Sequence, residues 1–202
     1  MNDSLRRADS TVSAVSTVPF DRVRLLLVSG SLRRRSTNAA VLRTAQVVAP
    51  TRVATVLYAH LAELPPFNPD EDVVPLDPWV DELRAHIRTA HGVLFSVPEY
   101  AGGLPGTFKN LLDWTIGDDQ PRSIYEKPVA WINASVRSAA DAHASLRSVL
   151  NYAHAHIVEA ACTHIPVASE EIDDDGMISD PSLRDAIGSA VAALAAAADT
   201  AV

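Results

Sequence analysis

Two short stretches hold most of the groups in this chain that can do chemistry. In the first, an apolar run beginning at Val23 breaks at Ser29-Gly30-Ser31. It then passes Arg33, Arg34 and Arg35 and reaches Ser36, Thr37 and Asn38. Hydroxyls, an amide, guanidinium groups and the start of a helix are all hydrogen-bond donors, and a helix N-terminus adds about half a positive charge. A terminal phosphate monoester suits that mixture. The spacing has neither Gly-Lys-Ser nor G-x-G-x-x-G, which weighs against an NTPase and against a standard dinucleotide fold. The plainer alternative is a helix capped by Ser36 with solvated arginines.

The second stretch is Pro98-Glu99-Tyr100-Ala101-Gly102-Gly103-Leu104-Pro105-Gly106. Its glycines let the backbone pass close to a flat ligand and turn sharply into a helix. The alternative is an ordinary strand-to-helix turn with Tyr100 as cover. Other candidates carry less. His143, His154, His156 and His164 have no cysteine or carboxylate at ligand spacing, so no metal site is expected. Asp173-Asp174-Asp175-Gly176 resembles part of a calcium loop, but Ser182 stands where that loop needs Glu, and a solvated turn is expected. Cys162, in an apolar segment, reads as an inert core thiol.

These stretches need elements to position them. Residues 23–29 are apolar at nearly every position, as in a parallel strand covered on both faces. Further strands are expected at 53–57, at 93–97 after Gly92, at 129–135 and at 157–165. Helices are expected over 38–48, from Asp77-Pro78 onward, after Gly106, around Leu146 and Leu150, and from Pro181. Between them, residues 59–76 are crowded with proline and acid and read as an exposed excursion. Five strands alternating with helices predict an α/β fold with an open parallel sheet and helices on both faces. In such sheets ligands sit beyond the carboxyl ends of the strands, where strand order reverses. Both stretches fall there.

The chain has 202 residues, 48% of them hydrophobic, enough for one domain with a full core. Residues 1–20 read as a disordered tail and 21–202 as the domain. With 25 acidic against 17 basic residues, the net charge of -8 opposes broad binding to nucleic acid or to an anionic membrane. One cysteine and no long apolar run make the cytoplasm the default location.

Taken together, GSLRRRSTN (residues 30–38) and PEYAGGLPGTFKNLLDW (residues 98–114) resemble the NADPH-dependent FMN reductase family, which includes quinone, chromate and azo-dye reductases. The resemblance implies a flavodoxin-like five-stranded sheet of order 2-1-3-4-5. It also implies noncovalent FMN, NADPH or NADH as electron donor, and a small-molecule acceptor such as a quinone or free flavin. By the same match, Ser31, Arg33, Ser36, Thr37 and Asn38 hold the FMN phosphate, with Arg34 and Arg35 facing solvent. Pro98, Glu99, Tyr100, Ala101 and Gly102 border the isoalloxazine and ribityl, and Ser135 is a third contact. No catalytic side chain is expected, since the cofactor carries the chemistry. The family often has Asn where this chain has Ala101, a change expected to remove a side-chain hydrogen bond near the flavin. The loop at 134–139, often glycine-rich in the family, has no glycine here. A homodimer or homotetramer is implied, with residues 59–76 and the helix of Trp114 as candidate surfaces. The competing readings are a flavodoxin-like electron carrier without efficient NAD(P)H use, and a cofactor-free binding protein on the same fold.

Overall fold

A computed structural model describes residues 22–200. The expected tail at 1–20 lies outside the described residues. Strands β1 (Val23–Ser29), β2 (Val53–Leu57), β3 (Gly92–Ser96), β4 (Pro128–Asn133) and β5 (His156–Ile157) run parallel in the order β2-β1-β3-β4-β5. Helices α1 (Thr37–Val48), α2 (Pro78–Thr89), α3 (Gly106–Ile116), α4 (Ala140–Tyr152) and α5 (Pro181–Asp199) connect and cover them.

The alternation of side chains along each strand divides the core in two. Leu25, Leu27, Leu94, Ala130 and Ile132 pack with Val41, Leu42, Ala45, Ile187, Val191 and Leu194, so α1 and α5 cover one face. Leu26, Val28, Val93, Phe95, Val129 and Trp131 pack with residues of α2, α3 and α4 on the other. Central strands β3 and β4 are buried at every residue, which is why they read as unbroken apolar runs.

The expected fifth strand at 157–165 is broken. β5 pairs with Pro128 and Val129. The chain then turns through a 3-10 segment, Glu159–Ala161, and re-enters the same edge as β6 (Thr163–His164) opposite Ile132 and Asn133. Glu-Ala-Ala is poor strand material. The bulge carries Glu159 outward to Arg147, whose guanidinium lies 4.9 Å over the Trp131 ring. Cys162 follows this bulge and is only half-buried, and burial pushes its thiol above the ordinary range.

Residues 59–76 also differ from expectation. Leu61 and Leu64 are buried, and the Phe67 ring meets Trp114 edge-on at 4.9 Å. Asn110 Nδ2 and Trp114 Nε1 each donate to the Pro65 carbonyl at 2.8 Å, while Asn110 Oδ1 accepts from the Phe67 N–H at 2.7 Å. Trp114, 1% exposed, therefore belongs to the core and offers no subunit surface.

Candidate functional site

The loops after β1, β3 and β4 emerge together at the carboxyl edge of the sheet, where β1 leads to β2 on one side and pairs with β3 on the other. The Gly30 N–H donates to the Ser96 carbonyl at 2.9 Å, locking the start of the first loop to the end of β3. A Cβ at Gly30 would lie 2.7 Å from Val97 Cγ1 and 3.2 Å from the Phe108 ring, so this glycine is required by packing beneath the loop.

Above that floor the loop is braced by its own hydroxyls. Ser29 Oγ accepts from the Ser31 N–H, Ser31 Oγ from the Arg33 N–H and Ser36 Oγ from the Ala39 N–H, each at 3.3 Å. Ser36 is thus the cap of α1. A hydroxyl that accepts in this way still has its own proton to give, so capping and anion binding are compatible. Thr37 and Asn38 open the helix, where backbone N–H groups have no intrahelical acceptor. The Asn38 side chain is 6% exposed and turned inward, accepting from the Ser96 hydroxyl at 3.0 Å. It ties α1 to β3 and leaves its backbone N–H as the donor for a ligand.

In the second loop, Tyr100 and Gly103 exchange backbone hydrogen bonds at 3.0 and 3.1 Å around Ala101 (φ 50°) and Gly102 (φ 72°). Two positive φ values in a two-residue connection define a type I′ turn, for which Asn-Gly is the favoured pair. The expected consequence of Ala101, a lost side-chain contact with the flavin, is therefore only part of the matter. The position demands a left-handed backbone, which Asn tolerates better than Ala. A Cβ placed on Gly102, Gly103 or Gly106 would meet nothing within 4 Å, so the space over this loop is open.

The third loop keeps a glycine-like path without glycine: Ser138 (φ 76°) and Ala139 (φ 50°) are both left-handed. Asn133 Nδ2 donates to the Ser138 carbonyl, and Asn133 Oδ1 accepts from the Ser135 N–H at 3.0 Å. A ring nitrogen of His164 lies 2.7 Å from the Ser135 carbonyl, and His143 Nδ1 lies 2.8 Å from the Ala139 carbonyl. Since a carbonyl only accepts, both imidazoles donate. Burial holds His143 below the ordinary histidine pKa, so it is neutral at pH 7, with its Nε2 buried and without a partner.

The three loops enclose a cleft of about 530 Å³. Ser31, Arg33, Ser36, Thr37, Asn38, Pro98, Glu99, Tyr100 and Ser135 all line it. Ala101 and Gly102 do not; they form the turn tip beside it. Sequence reasoning missed several contributors to the lining. Arg35 lines the cleft together with Arg33, a signal present in their i, i+2 spacing, and also borders a neighbouring cleft that Arg34 lines with Arg43 and Asp173. Arg137 and the segment from Val167 to Glu170 complete the far wall. That segment has no periodicity or glycine to betray it. Three guanidinium groups against the carboxylates of Glu99 and Glu170, beside a helix N-terminus, favour an anion. Other surface clefts are as large, such as the one between Asp118 and His154, which has no helix start. The neighbouring cleft shares Arg35 and Ser36 with this one, but Asp173, Asp174 and Asp175 wall it and disfavour an anion.

Asp173 to Gly176 forms a turn in which Asp173 Oδ1 accepts from the Met177 N–H at 2.8 Å and the Gly176 carbonyl accepts from Arg43 at 3.4 Å. Among the described residues no group of three or more His, Cys, Asp or Glu side chains is arranged to hold a metal, and no helix is long and apolar enough to cross a membrane.

Sheet order and cleft position define a flavodoxin-like domain whose switch point lies between β1 and β3. Residues 23–170 match the sequence profile of NADPH-dependent FMN reductase, and the chain belongs to that family. It is 32% identical over 177 residues to an NAD(P)H-dependent FMN reductase of Pseudomonas aeruginosa, covering 86% of this chain and 94% of that protein. It is 29% identical over 169 residues to a probable NADPH:quinone oxidoreductase of Oryza sativa, covering 81% and 82%. Among solved structures it is similar to a flavoenzyme NAD(P)H:(acceptor) oxidoreductase from Paracoccus denitrificans, with a TM-score of 0.76 and 27% identity over 88% of this chain and 98% of that one.

Proposed function

We propose that the protein is an NAD(P)H-dependent FMN oxidoreductase that passes reducing equivalents from a nicotinamide to a small acceptor such as a quinone or free flavin. The observation that carries this reading is the convergence of the three loops on one cleft, an anion cradle at one end and open backbone at the other. The hydroxyls of Ser31 and Ser36, the first-turn N–H groups of Thr37 and Asn38, and the guanidinium groups of Arg33 and Arg35 hold the FMN phosphate. Pro98, Glu99, Tyr100 and Ser135 border the rest of the cofactor, with the Ala101-Gly102 turn at its edge.

When bound, FMN supplies a ring that accepts hydride from a nicotinamide and delivers electrons onward. The chain's own work is binding and orientation. The braced first loop fixes one end of the cofactor, and the absence of side chains over Gly102, Gly103 and Gly106 leaves room for a flat partner to approach. Neither loop presents a side chain that must act as general base.

The single cysteine suits a reducing cytoplasm. We place the protein there, as a homodimer or homotetramer that binds no nucleic acid and no membrane. Anaerobic mixing of the FMN-loaded protein with NADPH and with NADH tests the reading. Rapid bleaching of the flavin absorbance by at least one, followed by reoxidation with a quinone, is expected. Stable FMN binding with no bleaching by either would make the protein an electron carrier, and failure to bind FMN at micromolar concentration would leave a cofactor-free protein. Sedimentation of the loaded protein as a monomer would overturn the assembly.

A further inference from the structure

Helix α4 starts without a cap of its own. Its N-cap residue is Ala139, left-handed and lacking any side-chain acceptor. The missing acceptor comes from across the cleft: Glu99 Oε2 takes the Ala142 N–H at 3.0 Å, from 43 residues away. Glu99 and Ala139 both line the cleft. The other braces on the third loop come from Asn133, His143 and His164 of β4, α4 and β6, and from the Val167 N–H, which donates to the Ala134 carbonyl at 3.1 Å. Among the described residues the Glu99 bond is the one hydrogen bond that joins the loop after β3 to the first turn of α4. It also holds a loop whose two adjacent left-handed residues, Ser138 and Ala139, persist only where the surroundings over-determine them.

We propose that Glu99 is a positioning residue: it caps α4 from the opposite wall and thereby sets the width of the cleft. The inference rests on the cleft being the FMN site. It assigns the Glu99 carboxylate to geometry, with its oxygen as a hydrogen-bond acceptor, and not to charge presented to the cofactor. An amide oxygen can do the same work, which separates this role from an electrostatic one.

The test compares the parent with Glu99→Ala and Glu99→Gln, each in two measurements. Amide hydrogen exchange of the apo proteins reads the cap directly, and FMN fluorescence quenching reads the affinity. In Glu99→Ala the Ala142 amide exchanges at least about fivefold faster and the FMN Kd rises about five- to tenfold, the size of a lost helix cap. Glu99→Gln recovers most of both losses. Equal damage by Gln and Ala would overturn the proposal in favour of charge, and unchanged Ala142 protection in Glu99→Ala would overturn it outright. If the parent itself fails to bind FMN, the functional reading fails, while the exchange measurement still decides whether Glu99 caps α4.

Discussion

The Asp72 carboxylate grips both terminal nitrogens of the Arg84 guanidinium, at 2.7 and 2.9 Å, and Arg84 is only 4% exposed. Arg84 Nε donates to the Trp114 carbonyl at 2.9 Å, so one side chain fastens the acidic excursion and the end of α3 to α2.

Removing one partner of such a pair leaves a buried charge without compensation, at a cost of about 3 kcal/mol. Asp72→Ala is expected to lose that much in urea unfolding, with an unchanged m-value. Gly117→Ala is expected to lose a comparable amount by another route. Its Cβ would fall 1.8 Å from Asp72 Oδ2 and 2.9 Å from Arg84 Nη2, so the pair cannot stay in place. A Gly117→Ala protein as stable as the parent would refute the close packing at this site.

The turn at Ala101-Gly102 predicts a gain. A left-handed Ala costs about 1 kcal/mol, and Asn carries less of that penalty in the first position of a type I′ turn. Ala101→Asn is therefore expected to raise stability by about 0.5 kcal/mol, and Ala101→Val to lower it by about 1 kcal/mol, since β-branching suits this backbone least. Thermal unfolding of the apo proteins checks both without involving a ligand.

The parts of the fold that were legible are those written in local pattern. Apolar runs marked β1 to β4, Asp77-Pro78 marked the start of α2, and the glycines and serines marked two of the three loops. What was hidden depends on partners far along the chain. Nothing near Pro65 shows that Asn110 and Trp114 hold it, so residues 59–76 read as exposed. Nothing near Ala139 shows that Glu99 caps it. Asn38 was placed with the phosphate ligands from its position at a helix start, although its side chain is engaged with Ser96 inside the molecule. The interruption after β5 was masked because Ala-Ala-Cys keeps the hydropathy of a strand while Glu159 breaks the pairing.

Stability is expected to rise with pH in two separate windows. Burial lowers the pKa of His143 and His91 below their ordinary 6.5, and the His91 Nδ1 lone pair is occupied by the Arg24 N–H at 2.8 Å. Below 6.5 the unfolded chain binds protons that the native state resists, so unfolding becomes easier as pH falls. His143→Gln is expected to flatten part of that acid slope. Around His143, Glu99 opposes the effect and His164 reinforces it. At the other end, burial first and then Arg122 push Lys127 down from 10.5 to about 8, against a partial pull from Asp118, with its ammonium donating to the Ala90 carbonyl at 2.7 Å. Between about pH 8 and 10.5 the unfolded state again holds more protons than the native one, and stability again rises with pH. Urea midpoints measured across both ranges test this, and a midpoint that falls between pH 8 and 10 in the parent but not in Lys127→Met would contradict the sign.

The arginines of the first loop differ in what they face, and that difference can be measured. Arg33 lines the cleft, Arg35 borders both it and the neighbouring one, and Arg34 lines only the neighbouring one, with Arg43 and Asp173. A charge-assisted hydrogen bond to a phosphate contributes about 1.5 kcal/mol, slightly more than a tenfold change in Kd. Arg33→Ala and Arg35→Ala are each expected to weaken FMN binding about tenfold and to reduce its sensitivity to salt, because both cations are exposed and screened. Arg34→Ala is expected to leave the affinity within about twofold, as an exposed charge outside the cleft contributes little. Riboflavin supplies the decisive control, since it has the ring and ribityl chain but no phosphate. Its weaker binding should be the same in the parent and in all three variants. A parallel loss of riboflavin binding would mean that these arginines shape the loop and do not hold the phosphate.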